Sequence, residues 1–299
     1  MRRFLWAGGR HAAAYTPGSF LDDRYLCQAA NIFLDTKPAA LPSRFEELPT
    51  SFVPYLKLSP YQLHVPQVYD WIRPSGAPDE VILLLEQAPL WTPSQLKNRG
   101  ILFSAKPAAA ETEIQVLPKL IEVWRTASPM RQLNWLWQVA KLWEPLNQEG
   151  VASTLIDLEL LRVEGGILRL LELHQPSQAF PLSVIGEFWL EFTQTAHPMI
   201  QAAMQQLCQQ LMQEQIRNAE GLMEAIDTLL ANVQRRSQQI KLQIATLSDQ
   251  GPTRHRNEDA CYPASGTITN PSAPPLVIVC DGIGGHQGGD IASNLAIQT

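Results

Sequence analysis

Prolines divide this chain: fourteen of the 23 lie at or before position 130. Each one fixes φ and removes a backbone donor, which penalises long helices and favours short strands with irregular connections. The front third is therefore expected to be loop-rich and β-containing. Its clearest strands are Tyr25 to Leu34 and Val81 to Leu85, the second an uninterrupted apolar run such as a strand buried on both faces shows.

After Ser128-Pro129, a good helix start, Leu133, Leu136, Trp137, Ala140 and Trp143 recur at helical spacing and predict one apolar face. Thr154 to Val163 and Ile167 to Leu173 then read as two apolar segments joined by a turn at Gly165-Gly166. Two further helical stripes follow, Ile200, Met204, Leu207 and Leu211, then Leu222, Ile226, Leu229 and Val233, with Gly221 near the break between them. Residues 200 to 250 carry twelve glutamines, which solvate the outer faces. The pattern changes at about 240. Lys241 to Asp249 alternates as a half-buried strand does, and Leu276 to Cys280 is a β-branched run expected to be buried. Ser265 to Pro275 between them reads as a surface loop. The expected division is 1–240 and 241–299, in keeping with 299 residues at roughly 150 per domain.

The net charge of −6 offers no basic stripe that could release counterions from phosphates, so nucleic acid is not an expected partner. Cys27, Cys208, Cys261 and Cys280 are far apart, with no zinc spacing and no disulfide framework, which points to a reducing cytoplasm. The opening apolar run breaks at Gly8-Gly9-Arg10-His11, and no run approaches the roughly 20 residues that span a bilayer. A soluble chain without a membrane segment is the expectation.

Chemistry concentrates in two stretches. One is Ser248-Asp249-Gln250-Gly251-Pro252-Thr253-Arg254-His255-Arg256-Asn257-Glu258-Asp259, and the other is Asp281-Gly282-Ile283-Gly284-Gly285-His286 at the end of a strand. Hydrolysis of a phosphate ester by two hard metal ions needs carboxylates fixed at strand ends, a backbone carbonyl open to a cation and a guanidinium for the phosphate. The two stretches supply all three. Gly282 lacks a Cβ, so its carbonyl can approach an ion closely.

These residues resemble the PPM (protein phosphatase 2C-like) serine/threonine phosphatases, whose opening motif has the form Ser-Asp-x-Gly-x-x-Arg-x-x-Asn-Glu-Asp and whose next is Asp-Gly-x-Gly-Gly-His. The resemblance implies that Asp281 bridges two Mg²⁺ or Mn²⁺ ions, that the Gly282 carbonyl and Glu258 serve the second ion, and that Asp259 supports this shell. It implies that Arg254 holds the substrate phosphate, so that Asp281 and Arg254 carry catalysis on phosphoserine and phosphothreonine proteins. Many members place a histidine directly after the Asp-Gly pair. Ile283 stands there in this chain, with His286 three residues on. His255 reads as an exposed loop residue, and Cys280 as a small buried hydrophobe. The family draws two further aspartates from later in its domain, so 241–299 is expected to be the first strands and helix of an α/β-β/α sandwich, incomplete for catalysis. Gly289 to Thr299 reads as that helix, with Ala292 and Ala296 toward the sheet.

The order of elements in 1–240 resembles a degenerate protein kinase with a small strand-rich lobe and a helical lobe, giving an α+β fold. On kinase spacing, Thr154 stands for the catalytic aspartate, Glu159 for the metal-binding asparagine and Glu172-Leu173-His174 for Asp-Phe-Gly. No glycine-rich loop precedes Lys37, and a threonine cannot act as base at neutral pH, so phosphoryl transfer is not expected. On the residues alone, Glu172 reads as an exposed acid closing a hairpin and Lys37 as a surface lysine. The alternative for this region is an unrelated α+β binding or sensor domain. Two functions follow. In one, the intact protein is a metal-dependent phosphatase whose front domain regulates it or recruits substrate. In the other, the chain is a pseudoenzyme or interaction protein whose kinase-like domain binds a signalling kinase or regulator.

Overall fold

The computed structural model describes residues 3–40, 48–74, 80–91, 114–175, 177–237, 243–252, 256–269, 276–282 and 288–298. Its contacts divide the chain into two compact units, Met1–Gln234 and Arg235–Thr299.

The first unit opens with β1 (Arg3–Ala7), β2 (Phe20–Leu21), β3 (Tyr25–Ala29), β4 (Ile32–Asp35), a short helix α1 (Val53–Lys57), β5 (Gln67–Ile72) and β6 (Ile82–Glu86). The strands form one antiparallel sheet in the order β2-β3-β4-β1-β6-β5. The single strand expected over Tyr25–Leu34 is a hairpin. Asn31 takes a left-handed conformation (φ 61°), which a short polar side chain tolerates, and its Nδ2 donates to Ala7 O at 2.7 Å. Ile82, Leu83, Leu84 and Leu85 of β6 are all buried, and alternate residues face different cores. Leu83 and Leu85 pack with the helices below, while Ile82 and Leu84 pack with Leu5, Tyr25 and Phe33. That two-sided burial is why β6 shows no polar alternation.

A small ladder of β7 (Leu90–Trp91) and β8 (Gln115–Val116) precedes α2 (Leu120–Trp124) and α3 (Pro129–Gln148). Ser128 Oγ caps α3 by accepting from Arg131 N, and the predicted stripe is buried except Trp137, which stays half-exposed with Lys141 over its ring. A 3-10 turn (Ala152–Ile156) follows. Only the end of the predicted Thr154–Val163 segment is therefore strand, the hairpin being β9 (Leu161–Glu164) and β10 (Ile167–Leu170). Gly165 turns it at φ 59°. Buried Gln138 fastens this hairpin to α3, its Nε2 donating to Gly166 O and its Oε1 accepting from Leu168 N, both at 2.8 Å. Then come α4 (Ser183–Thr193), α5 (Pro198–Met212) and α6 (Ala219–Ser237). Gly221 lies inside α6, and the break falls at 213–218 instead, where Asn218 Oδ1 accepts from Gly221 N at 2.8 Å and starts the helix. Trp124 anchors the packing: it is fully buried, donates from Nε1 to Phe192 O and meets the Phe192 ring edge-on at 5.0 Å.

The second unit contains β11 (Ile244–Ala245) paired with β13 (Ile268–Thr269), β12 (Ala260–Tyr262) paired with β14 (Ile278–Cys280), and the helix α7 (Gly289–Ala296). Contrary to the expected buried strand, Val279 is 77 % exposed and Ile278 and Cys280 are half-exposed. Ala292 and Ala296 are exposed as well, and Ser293 is the residue of α7 that turns inward. No helix among the described residues is long and apolar enough to cross a membrane.

Candidate functional site

The register of β12 and β14 sets Ala260 opposite Cys280, Cys261 opposite Val279 and Tyr262 opposite Ile278. Asp259 and Asp281 therefore leave the same end of the ladder. Gly282 N donates to Asp259 Oδ1 at 3.2 Å, joining the two motifs directly. A Cβ on Gly282 would lie 2.2 Å from Glu258 O, so only glycine permits the Glu258-Asp259 corner to rest on this strand end. Ser293 Oγ donates to the same Glu258 O at 2.6 Å, pinning the corner to α7 from the other side.

The opening motif is tied to itself. Asn257 Nδ2 donates to Ser248 Oγ at 2.7 Å, and Asn257 Oδ1 accepts from Asp259 N at 3.1 Å, an Asx turn that orients the acidic pair. The Ser265 hydroxyl accepts from Ser248 N at 2.8 Å and donates to Ser248 O at 3.1 Å. Thus Ser248 and Asn257 are scaffold residues for Glu258 and Asp259. Ser248 and Asn257 stand within the motif and were legible as such, but nothing in the sequence marks Ser265 or Ser293.

Of the predicted site residues, Glu258, Asp259, Asp281 and Gly282 meet at one corner, with Asp259 and Asp281 exposed and Glu258 half-buried. Arg254, His255, Ile283 and His286 lie outside the described residues. Cys280 is half-exposed, not buried. Carboxylate oxygens and a backbone carbonyl are the donor chemistry of a hard cation. Among the described residues, however, no three acidic, histidine or cysteine side chains are grouped to hold a metal ion, so the corner is at most part of a coordination shell.

In the first unit, Thr154 is fully buried and its Oγ1 accepts from His174 N at 2.9 Å. Glu159 is exposed and pairs with Lys119, and Lys37 is exposed. Glu172 differs from the exposed acid expected of it. Its Oε2 accepts from Trp6 Nε1 at 2.7 Å, Gly9 N–H also reaches it, and burial pushes its carboxyl above the ordinary value. These contacts use the carboxylate internally.

A 51-residue stretch of the chain is 45% identical to the serine/threonine phosphatase stp of Listeria innocua, and the same identity and length relate it to the stp proteins of Listeria welshimeri and Listeria monocytogenes. The stretch is 17% of this chain and 19% of each relative, so the chain spans about a fifth of the length of the curated relatives it matches. No family model matches the chain. No solved structure matches it.

Proposed function

We propose that residues 241–299 are the opening segment of a PPM-type metal-dependent protein serine/threonine phosphatase domain, and that the whole protein removes phosphate from phosphoserine or phosphothreonine side chains. The local likeness to serine/threonine phosphatases carries this reading. The joined corner of Glu258, Asp259, Asp281 and Gly282 supports it, since both motifs contribute to one place.

In this reading, Mg²⁺ or Mn²⁺, two ions in a complete domain, would be held by Asp281, Glu258 and the Gly282 carbonyl, and bound ions supply a deprotonated water at neutral pH. Asp259 keeps the strand end fixed through Gly282 N. Arg254 clamps the phosphate, bidentate where geometry allows. The first unit serves recognition or regulation as a kinase-like or other α+β domain with no phosphoryl transfer of its own, because Thr154 is buried behind His174 and cannot act as base.

The test joins residues 1–299 in frame to the part of the Listeria innocua phosphatase that lies beyond its matching stretch. The joined protein is expected to hydrolyse a phosphothreonine peptide with Mn²⁺ or Mg²⁺ and to stop on chelation, while residues 1–299 alone stay silent. Arg254→Ala should raise KM more than it lowers kcat, because a phosphate clamp acts largely in ground-state binding. Equal turnover by residues 1–299 alone, or hydrolysis indifferent to chelation, would overturn the reading.

A further inference from the structure

We propose that Ser153 is an activated nucleophile of the first unit, with His174 as its general base and Asp157 as the group that orients the base, and that this site acts on activated carboxylic esters without a metal. The proposal is independent of the phosphatase reading.

The orienting acid and the base are each held by contacts of their own. Asp157 follows the 3-10 turn that carries Ser153, and its Oδ1 accepts from Glu159 N at 2.8 Å, which sets the plane of the carboxylate. Its Oδ2 lies 3.0 Å from His174 Nε2. A carboxylate can only accept, so in the neutral ring the proton sits on Nε2 and Nδ1 keeps its lone pair. Nδ1 lies 3.0 Å from Ser153 Oγ, and the serine hydroxyl donates to it. The histidine backbone is held too: His174 N donates to the buried Thr154 Oγ1 at 2.9 Å, and Leu173 N to Tyr55 OH at 2.8 Å. Nucleophile, base and orienting acid thus stand in the order that nucleophilic catalysis requires. The site is also reachable, with the His174 side chain 36% and that of Asp157 33% exposed.

Ser153 Oγ attacks the carbonyl carbon while its proton passes to His174 Nδ1. The bond from that carbon to the leaving oxygen breaks as the leaving oxygen takes the proton, which gives the free alcohol and an acyl-serine. Water then attacks the acyl carbon, gives a proton to His174, and releases the acid as Ser153 Oγ recovers a proton. An aryl ester, whose leaving group needs little help, is the class for which base activation alone is sufficient.

The test treats the 299-residue chain, in the presence of chelator, with an alkyl fluorophosphonate, which loses fluoride as its phosphorus bonds to Oγ, and maps the adduct by peptide mass analysis. The adduct is expected on Ser153, with p-nitrophenyl acetate hydrolysis lost in Ser153→Ala. His174→Gln and Asp157→Asn should each slow labelling at least about tenfold with an unchanged circular dichroism spectrum. Asp281→Asn should label as wild type, which separates this site from the phosphatase motifs. No adduct on Ser153, or equal labelling of folded Asp157→Asn, overturns the proposal.

Discussion

Position 282 admits no side chain, because the Glu258 carbonyl already occupies the space a Cβ would need. Gly282→Ala must push the Glu258-Asp259 corner off the strand end, at a cost of about 1–3 kcal/mol of overpacking. The expected outcome is faster amide exchange at the β12–β14 ladder with the first unit unchanged; wild-type protection would contradict the contact. His64 offers a second residue-scale test. It is buried, its Nδ1 bonds to Leu168 O at 2.8 Å, and burial holds its imidazole below the ordinary value of 6.5. The unfolded chain then takes up a proton that the folded chain refuses. Its contribution is full above pH 6.5 and is lost as pH falls through the depressed folded value. Urea denaturation from pH 7.5 to 5 should show stability falling with acid, and a shallower slope in His64→Gln. At this scale, the Asp-Gly pair and the Glu-Asp corner were legible because their chemistry is rare and ordered. The Ser293 contact was not, since a serine in a short amphipathic helix carries no mark of the carbonyl it meets.

Among elements, the Gln138 link decides how α3 and the β9–β10 hairpin meet. Gln138→Ala strands the Leu168 N–H and the Gly166 carbonyl, and a buried group left unpaired costs about 1–3 kcal/mol. The midpoint of chemical denaturation should drop accordingly with an unchanged m value, whereas an unchanged midpoint would place the hairpin's hold elsewhere. Helical stripes were readable because a period of 3.6 survives over fifteen or more residues, as in α3 and α5. The β3–β4 hairpin was not, because Ala30-Asn31 is a weak turn signal between two apolar runs. The start of the Thr154–Val163 segment failed for a related reason: four or five apolar residues can be strand or 3-10 turn, and Thr154 chose the turn by burying its hydroxyl on His174 N.

For the whole molecule, the two units differ in how they treat apolar surface. The first buries Trp124, Trp189, Leu136 and Leu207 in one continuous core, while the second leaves Leu247, Val279, Ile291 and Leu295 each at least 60% exposed. A unit of that size buries little of its surface. The corner of Glu258, Asp259, Asp281 and Gly282 is nonetheless assembled within it. The central claim is that this corner is the start of a metal-dependent phosphatase site, and Asp281 is its most demanding residue. The direct measurement compares Mn²⁺-dependent phosphopeptide hydrolysis by the joined protein carrying Asp281 with that of its Asp281→Asn variant. The account predicts activity in the first and a fall to background in the second, with folding unchanged by circular dichroism. Undiminished turnover in Asp281→Asn would contradict it.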